Sequence, residues 1–193
     1  LNLVYLAEYF GLPEVANFWN EVVEINNWHQ HRISKLITKK LFNTLSSKKI
    51  VILGFAFKAN TNDTRESAAI QICNDLLEEG ANLCIHDPKV GINQIMKDLN
   101  GKNSTEENFF NSTVNDFEEG KWMKKNDLDS IFDNSDAVVL LTEWNEYSKL
   151  NWDYISNKMR TPAWVFDARS ILEPSQVLKS GLNYWRIGDG SNY

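Results

Sequence analysis

Short runs that are apolar throughout, IVILGF, LCIHD, AVVLLT, WVFDA and YWRIG, recur along the chain after Ser47, and they constrain the fold more than any other feature. A run such as Ala137–Leu141 (AVVLL) is apolar at every position rather than at alternate ones. That is the pattern of a strand covered on both faces. Between the first two runs lies a segment near Ser67 to Glu79 in which Ala69, Ile70, Ile72, Cys73, Leu76 and Leu77 supply the apolar face of a helix. Strands of this kind alternating with helices predict an α/β fold, an open parallel sheet with helices on both faces.

A different pattern precedes the sheet. Pro13 suits a first helical turn, and from Val15 the residues Phe18, Trp19, Val22, Ile25, Ile33, Leu36, Ile37 and Leu41 keep a helical spacing. One long helix of about 30 residues would span roughly 45 Å. Part of its stripe is therefore expected to pack on another domain or subunit, the alternative being a helix that lies wholly on its own domain. This divides the chain into a helical segment, 1–46, and a sheet domain, 47–193. The chain has no initiator Met and opens on an amphipathic pattern already under way (Leu1, Val4, Leu6, Tyr9), so it reads as a fragment. The polar, Asn-rich stretch from Asn100 to Asp127, punctuated by Phe109, Phe110 and Trp122, is expected to be a long loop or irregular insertion.

Composition narrows the function. A net charge of −6 argues against a nucleic-acid partner, which needs a basic face. No apolar run reaches membrane-spanning length and the first ten residues lack signal-peptide features, so a soluble, cytoplasmic protein is expected. The two cysteines, Cys73 and Cys84, match no metal or redox spacing and read as reduced, buried thiols. No metal site is expected.

In an open parallel sheet, ligands sit beyond the carboxyl ends of the strands. The residues there are Phe57 and Lys58, then Asp87, then Glu143 and Trp144, then Arg169. Cations on that edge of a net-negative protein suit a phosphorylated ligand. Asp63 reads as a helix N-cap with Glu66 as its capping-box partner, which puts Arg65 in a first turn whose dipole disfavours it. Arg65 then either serves a ligand or pairs with Asp63 or Glu66 at the surface. A dinucleotide fingerprint is absent: Gly54 stands alone, and Asp87 lies too far downstream to be the ribose acid. A turn at Asp87–Pro88 explains that pair instead. His29 and His31 lie on the long helix and His86 within a strand, with no paired carboxylate or hydroxyl nearby in sequence that would mark a triad. The tryptophans read as core or loop anchors, with Trp144 at a strand end the exception.

At these positions the chain resembles a known family. GFAFKANTNDTRES resembles the signature of the C-terminal, UDP-binding domain of the UDP-glucose and GDP-mannose dehydrogenases. LNLVYLAEYFGLPEVANFW is similar to the segment that enters that family's central helix; HDPKV and LLTEWNEY follow in order, and PAWVFDARSIL is similar to a late substrate-binding stretch. Asn60, Asn62 and the Asn-rich insertion depart from the pattern without touching the cationic positions. The resemblance implies a Rossmann-like domain and oxidation of a sugar C6 alcohol to a carboxylate by hydride transfers to NAD⁺, through thioester chemistry on a cysteine. It places that cysteine, and the NAD domain, upstream of Leu1. It implies that Phe57 and Lys58 contact the UDP-sugar, that Arg169 contacts its nucleotide portion, and that Arg65 reaches towards NAD. The helix from about Pro13 to Leu45 would form a homodimer or higher homo-oligomer. UDP-glucose, oxidised to UDP-glucuronate, is the expected substrate. GDP-mannose or UDP-N-acetylmannosamine are the alternatives within the class, and a non-catalytic nucleotide-binding or dimerisation module is the alternative outside it.

Overall fold

Six parallel strands form one sheet in the order β3-β2-β1-β4-β5-β6: β1 (Lys49–Leu53), β2 (Asn82–His86), β3 (Lys121–Lys124), β4 (Ala137–Leu140), β5 (Trp164–Asp167) and β6 (Asn183–Arg186). The computed structural model describes residues 2–99 and 120–190. Within β1, Ile50 and Ile52 pack on one side while Val51 and Leu53 pack on the other. Both sets are fully buried, which is why the run carries no polar alternation. The order reverses between β1 and β4, and the crevice beyond their carboxyl ends is where such sheets take ligands.

Helix α3 (Ala68–Glu78) connects β1 to β2 and lies on the first face with α4 (Ile92–Asp98). Helices α5 (Trp152–Ser156) and α6 (Pro174–Lys179) cover the other face through Trp152, Ile155 and Val177. Upstream, α1 (Asn2–Tyr9) packs on the 28-residue helix α2 (Pro13–Lys40), close to the length read from the sequence. The carboxyl-terminal part of α2 lies on α3, and Ile33 and Ile37, with Leu41 and Leu45 after it, join the sheet's core. Each contributes roughly 1.5–3 kcal/mol by leaving water. Further towards its amino end, Phe18, Ile25 and Trp28 are exposed, so the apolar stripe continues past the surface that this chain covers.

Two expectations are corrected. Residues 121–124, read as part of an irregular insertion, form the edge strand β3. Trp122 and Met123 enter opposite cores, and Lys121 and Lys124 flank them at the sheet edge, so a four-residue strand carries too short a pattern to register as one. Residues 100–119 of that insertion lie outside the described residues. The second correction concerns the start of α3, where Ser67 is the N-cap and accepts from the Ala69 N–H. Asp63 is not the cap. Glu66 has φ +60°, which no helical residue adopts, so Arg65 stands in the loop before the helix and not in its first turn.

Candidate functional site at the carboxyl edge of the sheet

The loop after β1 leaves the sheet at Gly54, whose φ is +92°. A Cβ there would lie 2.3 Å from the Thr142 Cβ, so glycine is required for packing against the turn after β4. The turn carries no dinucleotide fingerprint, Gly54 being its one glycine.

Beyond Gly54 the backbone is heavily bonded. Asp87, 1% exposed, accepts from the Phe55 and Ala56 N–H groups at 2.8 and 3.0 Å and from Trp144 Nε1 at 3.2 Å. Its other oxygen accepts from Lys89 and Val90 N–H, both at 2.9 Å. The turn expected at Asp87–Pro88 is present, but the carboxylate also joins the loops after β1, β2 and β4. Thr142 donates to the Ala56 carbonyl at 2.7 Å and Ser67 to the Phe55 carbonyl at 2.8 Å. Phe57 and Lys58 follow this braced segment, Phe57 being 49% exposed and Lys58 exposed.

After β5 the arrangement recurs. Asp167 is fully buried and accepts from the Arg169 N–H at 3.0 Å, the Leu172 N–H at 2.9 Å and the Tyr184 hydroxyl at 3.1 Å. The Arg169 side chain donates through Nε to the Leu141 carbonyl at 2.7 Å and lies 3.5 Å from Glu143. Glu143 in turn accepts from the Ala59 N–H at 3.4 Å.

Phe57 and Arg169 line one cavity of about 880 Å³ together with Trp19, Val23 and Gln30 of α2 and residues of α1. Lys58 and Arg65 do not line it. Arg65 instead grips Asp63 with two hydrogen bonds, Nε to Oδ1 at 2.9 Å and a terminal nitrogen to Oδ2 at 2.7 Å, while its side chain is 87% exposed. The surface ion pair weighed from the sequence is thus present, and the helix-dipole reason for giving Arg65 to a ligand is gone. The hydrogen bond from Arg65 holds the Asp63 carboxyl at about 2, below its ordinary range.

Sequence reasoning missed the tertiary partners of the histidines. His31 and Ser34 of α2 both bond one oxygen of Asp75 in α3, His31 at 2.8 Å, and Gln71 donates to the other oxygen. No triad results, because Ser34 gives its proton to the carboxylate rather than to the imidazole. His86 meets the Tyr147 hydroxyl at 2.9 Å, and burial holds its pKa down. Cys73 and Cys84 are both buried and in no disulfide, and burial pushes the Cys73 pKa up. Among the described residues, no group of three or more His, Cys, Asp or Glu is placed to hold a metal, and no helix is long and apolar enough to cross a membrane.

A doubly wound sheet with cations and an aromatic ring at its carboxyl edge defines a Rossmann-like ligand-binding domain without a dinucleotide fingerprint. Residues 51–174 match the UDP-glucose/GDP-mannose dehydrogenase family, UDP binding domain, and the chain belongs to that family. Over 188 residues it is 42% identical to UDP-glucose 6-dehydrogenase of Caenorhabditis elegans, covering 97% of this chain and 37% of that protein. The enzyme of the same name from Drosophila melanogaster is 43% identical over 193 residues, covering 97% of this chain and 38% of the relative. The chain thus spans under two fifths of the length of these curated relatives. Among solved structures, a UDP-glucose dehydrogenase from Pyrobaculum islandicum superposes with a TM-score of 0.63 at 21% identity, over 94% of this chain and 34% of that one. At that identity the likeness is one of fold.

Proposed function

We propose that this chain is the nucleotide-sugar-binding part of an NAD-dependent UDP-glucose 6-dehydrogenase that oxidises UDP-glucose to UDP-glucuronate. The observation that carries it is the convergence of Phe57 and Arg169, two carboxyl-edge residues of the segment that matches a UDP-binding domain, on one large cavity shared with α1 and α2. Arg169 is suited to the nucleotide's phosphates, because its Nε is anchored on Leu141 and its planar fork suits phosphate oxygens. Phe57 offers an apolar face, and Lys58, its exposed neighbour in sequence, offers a point charge. Residues 47–193 form the binding domain in this proposal, and 1–46 a central helical segment that pairs with a second copy to give a homodimer in the cytoplasm.

NAD supplies the hydride acceptor when bound. The β1–α3 turn carries no dinucleotide fingerprint, and in this reading hydride transfer and the cysteine chemistry belong to the portion of the relatives that this chain does not span. Arg65 is the one residue proposed to face that cofactor, and reaching it would require release from Asp63.

The test is calorimetric titration of the chain with UDP. Lys58→Ala and Arg169→Ala are each expected to weaken binding by about 1–3 kcal/mol, the range for a lost charge-assisted hydrogen bond. Unchanged affinity in both variants would remove the proposal. Parallel titrations with UDP-glucose, GDP-mannose and UDP-N-acetylmannosamine assign the sugar, and tighter binding of either rival would displace UDP-glucose. No binding of any of them would leave a dimerisation module.

A further inference from the structure

Two buried carboxylates stand beneath the two turns that carry the proposed binding residues. Asp87 takes five N–H donors, four from the backbone and one from Trp144, spread over three loops. Five donors converging on one side chain call for an acceptor-only group with two oxygens. Asparagine offers a single acceptor oxygen and would leave part of the set unpaired in a buried place. The bonds at Phe55 and Ala56, with those of Thr142 and Ser67 to the same two residues, end where Phe57 and Lys58 begin. The brace therefore sets the direction in which those two side chains leave the sheet. Asp167 does the same for Arg169: it holds the Arg169 N–H and the far end of the turn at Leu172, while Leu141 holds the guanidinium.

Resting on the function proposed above, we infer that Asp87 and Asp167 are positioning residues for the nucleotide sugar, Asp87 acting through Phe57 and Lys58 and Asp167 acting through Arg169. Neither touches the ligand. Asp136 provides the comparison at the opposite edge of the sheet. It is also a buried carboxylate, it accepts from the Lys49 N–H at 2.8 Å and pairs with Arg160, and it lies beneath no proposed binding residue.

The experiment is UDP titration of the full 193-residue chain carrying Asp87→Asn, Asp167→Asn or Asp136→Asn, with thermal midpoints measured alongside. Asp87→Asn and Asp167→Asn are each expected to weaken UDP binding about tenfold, as for one charge-assisted hydrogen bond. Asp136→Asn should lower the midpoint and leave affinity unchanged. The double-mutant cycles carry the sharper expectation. Adding Lys58→Ala to Asp87→Asn costs less affinity than Lys58→Ala alone, while adding Arg169→Ala costs its full amount; with Asp167→Asn the pairing reverses. A purely structural role gives additive cycles throughout, or an equal loss in Asp136→Asn, and either result overturns the inference. If an Asp variant does not fold, Thr142→Val and Tyr184→Phe each remove one hydrogen bond from the same braces. They should weaken UDP binding about threefold with the same pairing, and unchanged affinity in both would also overturn it. Failure of the parent chain to bind UDP sinks the function and this inference together. If Lys58→Ala and Arg169→Ala weaken binding but no Asp variant does, only the inference fails.

Discussion

Arg65 illustrates how a residue's role turns on its neighbours in space. From the sequence it stood against a helix dipole; in the structure it lies in a loop and is bonded to Asp63. The exposed pair adds little stability, since solvent screens it. It does leave a titration signature. The Asp63 carboxyl is held at about 2, below its ordinary 3.8, by the Arg65 hydrogen bonds. A depressed carboxyl pKa means that the pairing is complete above the unfolded value and is lost as pH falls through the folded one. Carboxyl NMR titration should therefore find Asp63 at about 2 in the parent, and Arg65→Ala should return it towards 3.8. An ordinary value in the parent would contradict the bonded loop and leave Arg65 free to face a ligand.

Among the elements, the long helix α2 carries an apolar surface that exceeds its covering. Its carboxyl-terminal part is locked into the core by Ile33 and Ile37, whereas Val15, Phe18, Ile25 and Trp28 project from the rest. Phe18 and Ile25 lie seven residues apart and Trp28 three further on, so they share one face. Exposed aromatics on one stripe mark a docking surface. In the proposed dimer this stripe meets its copy. Phe18→Glu combined with Trp28→Glu is expected to convert the dimer to monomer in sedimentation velocity while leaving the thermal midpoint of the sheet domain in place. A dimer that survives both charges would place the contact elsewhere.

For the whole molecule, the proposed function assigns binding to this chain and the nucleophile to the part of the relatives that it does not span. Cys73 and Cys84 are sealed in the cores, and burial keeps the Cys73 thiol protonated. Incubated with UDP-glucose and NAD⁺, the chain is expected to bind the sugar nucleotide and form no NADH; robust turnover by this polypeptide would overturn the division of labour proposed here. Much of the fold was legible in the sequence. Strands buried on both faces show as uninterrupted apolar runs, and α2 and α3 show as helical stripes, because both patterns are local. The edge strand β3 was not legible, since two apolar residues that enter opposite cores make no pattern in one dimension. The carboxyl-edge residues could be named from strand ends alone, but not how they group. Only the tertiary structure brought Phe57 and Arg169 to one cavity, left Lys58 and Arg65 outside it, and gathered three loops onto Asp87. A buried carboxylate chooses its donors by proximity in space, and Trp144, which completes that set, lies 57 positions along the chain from Asp87.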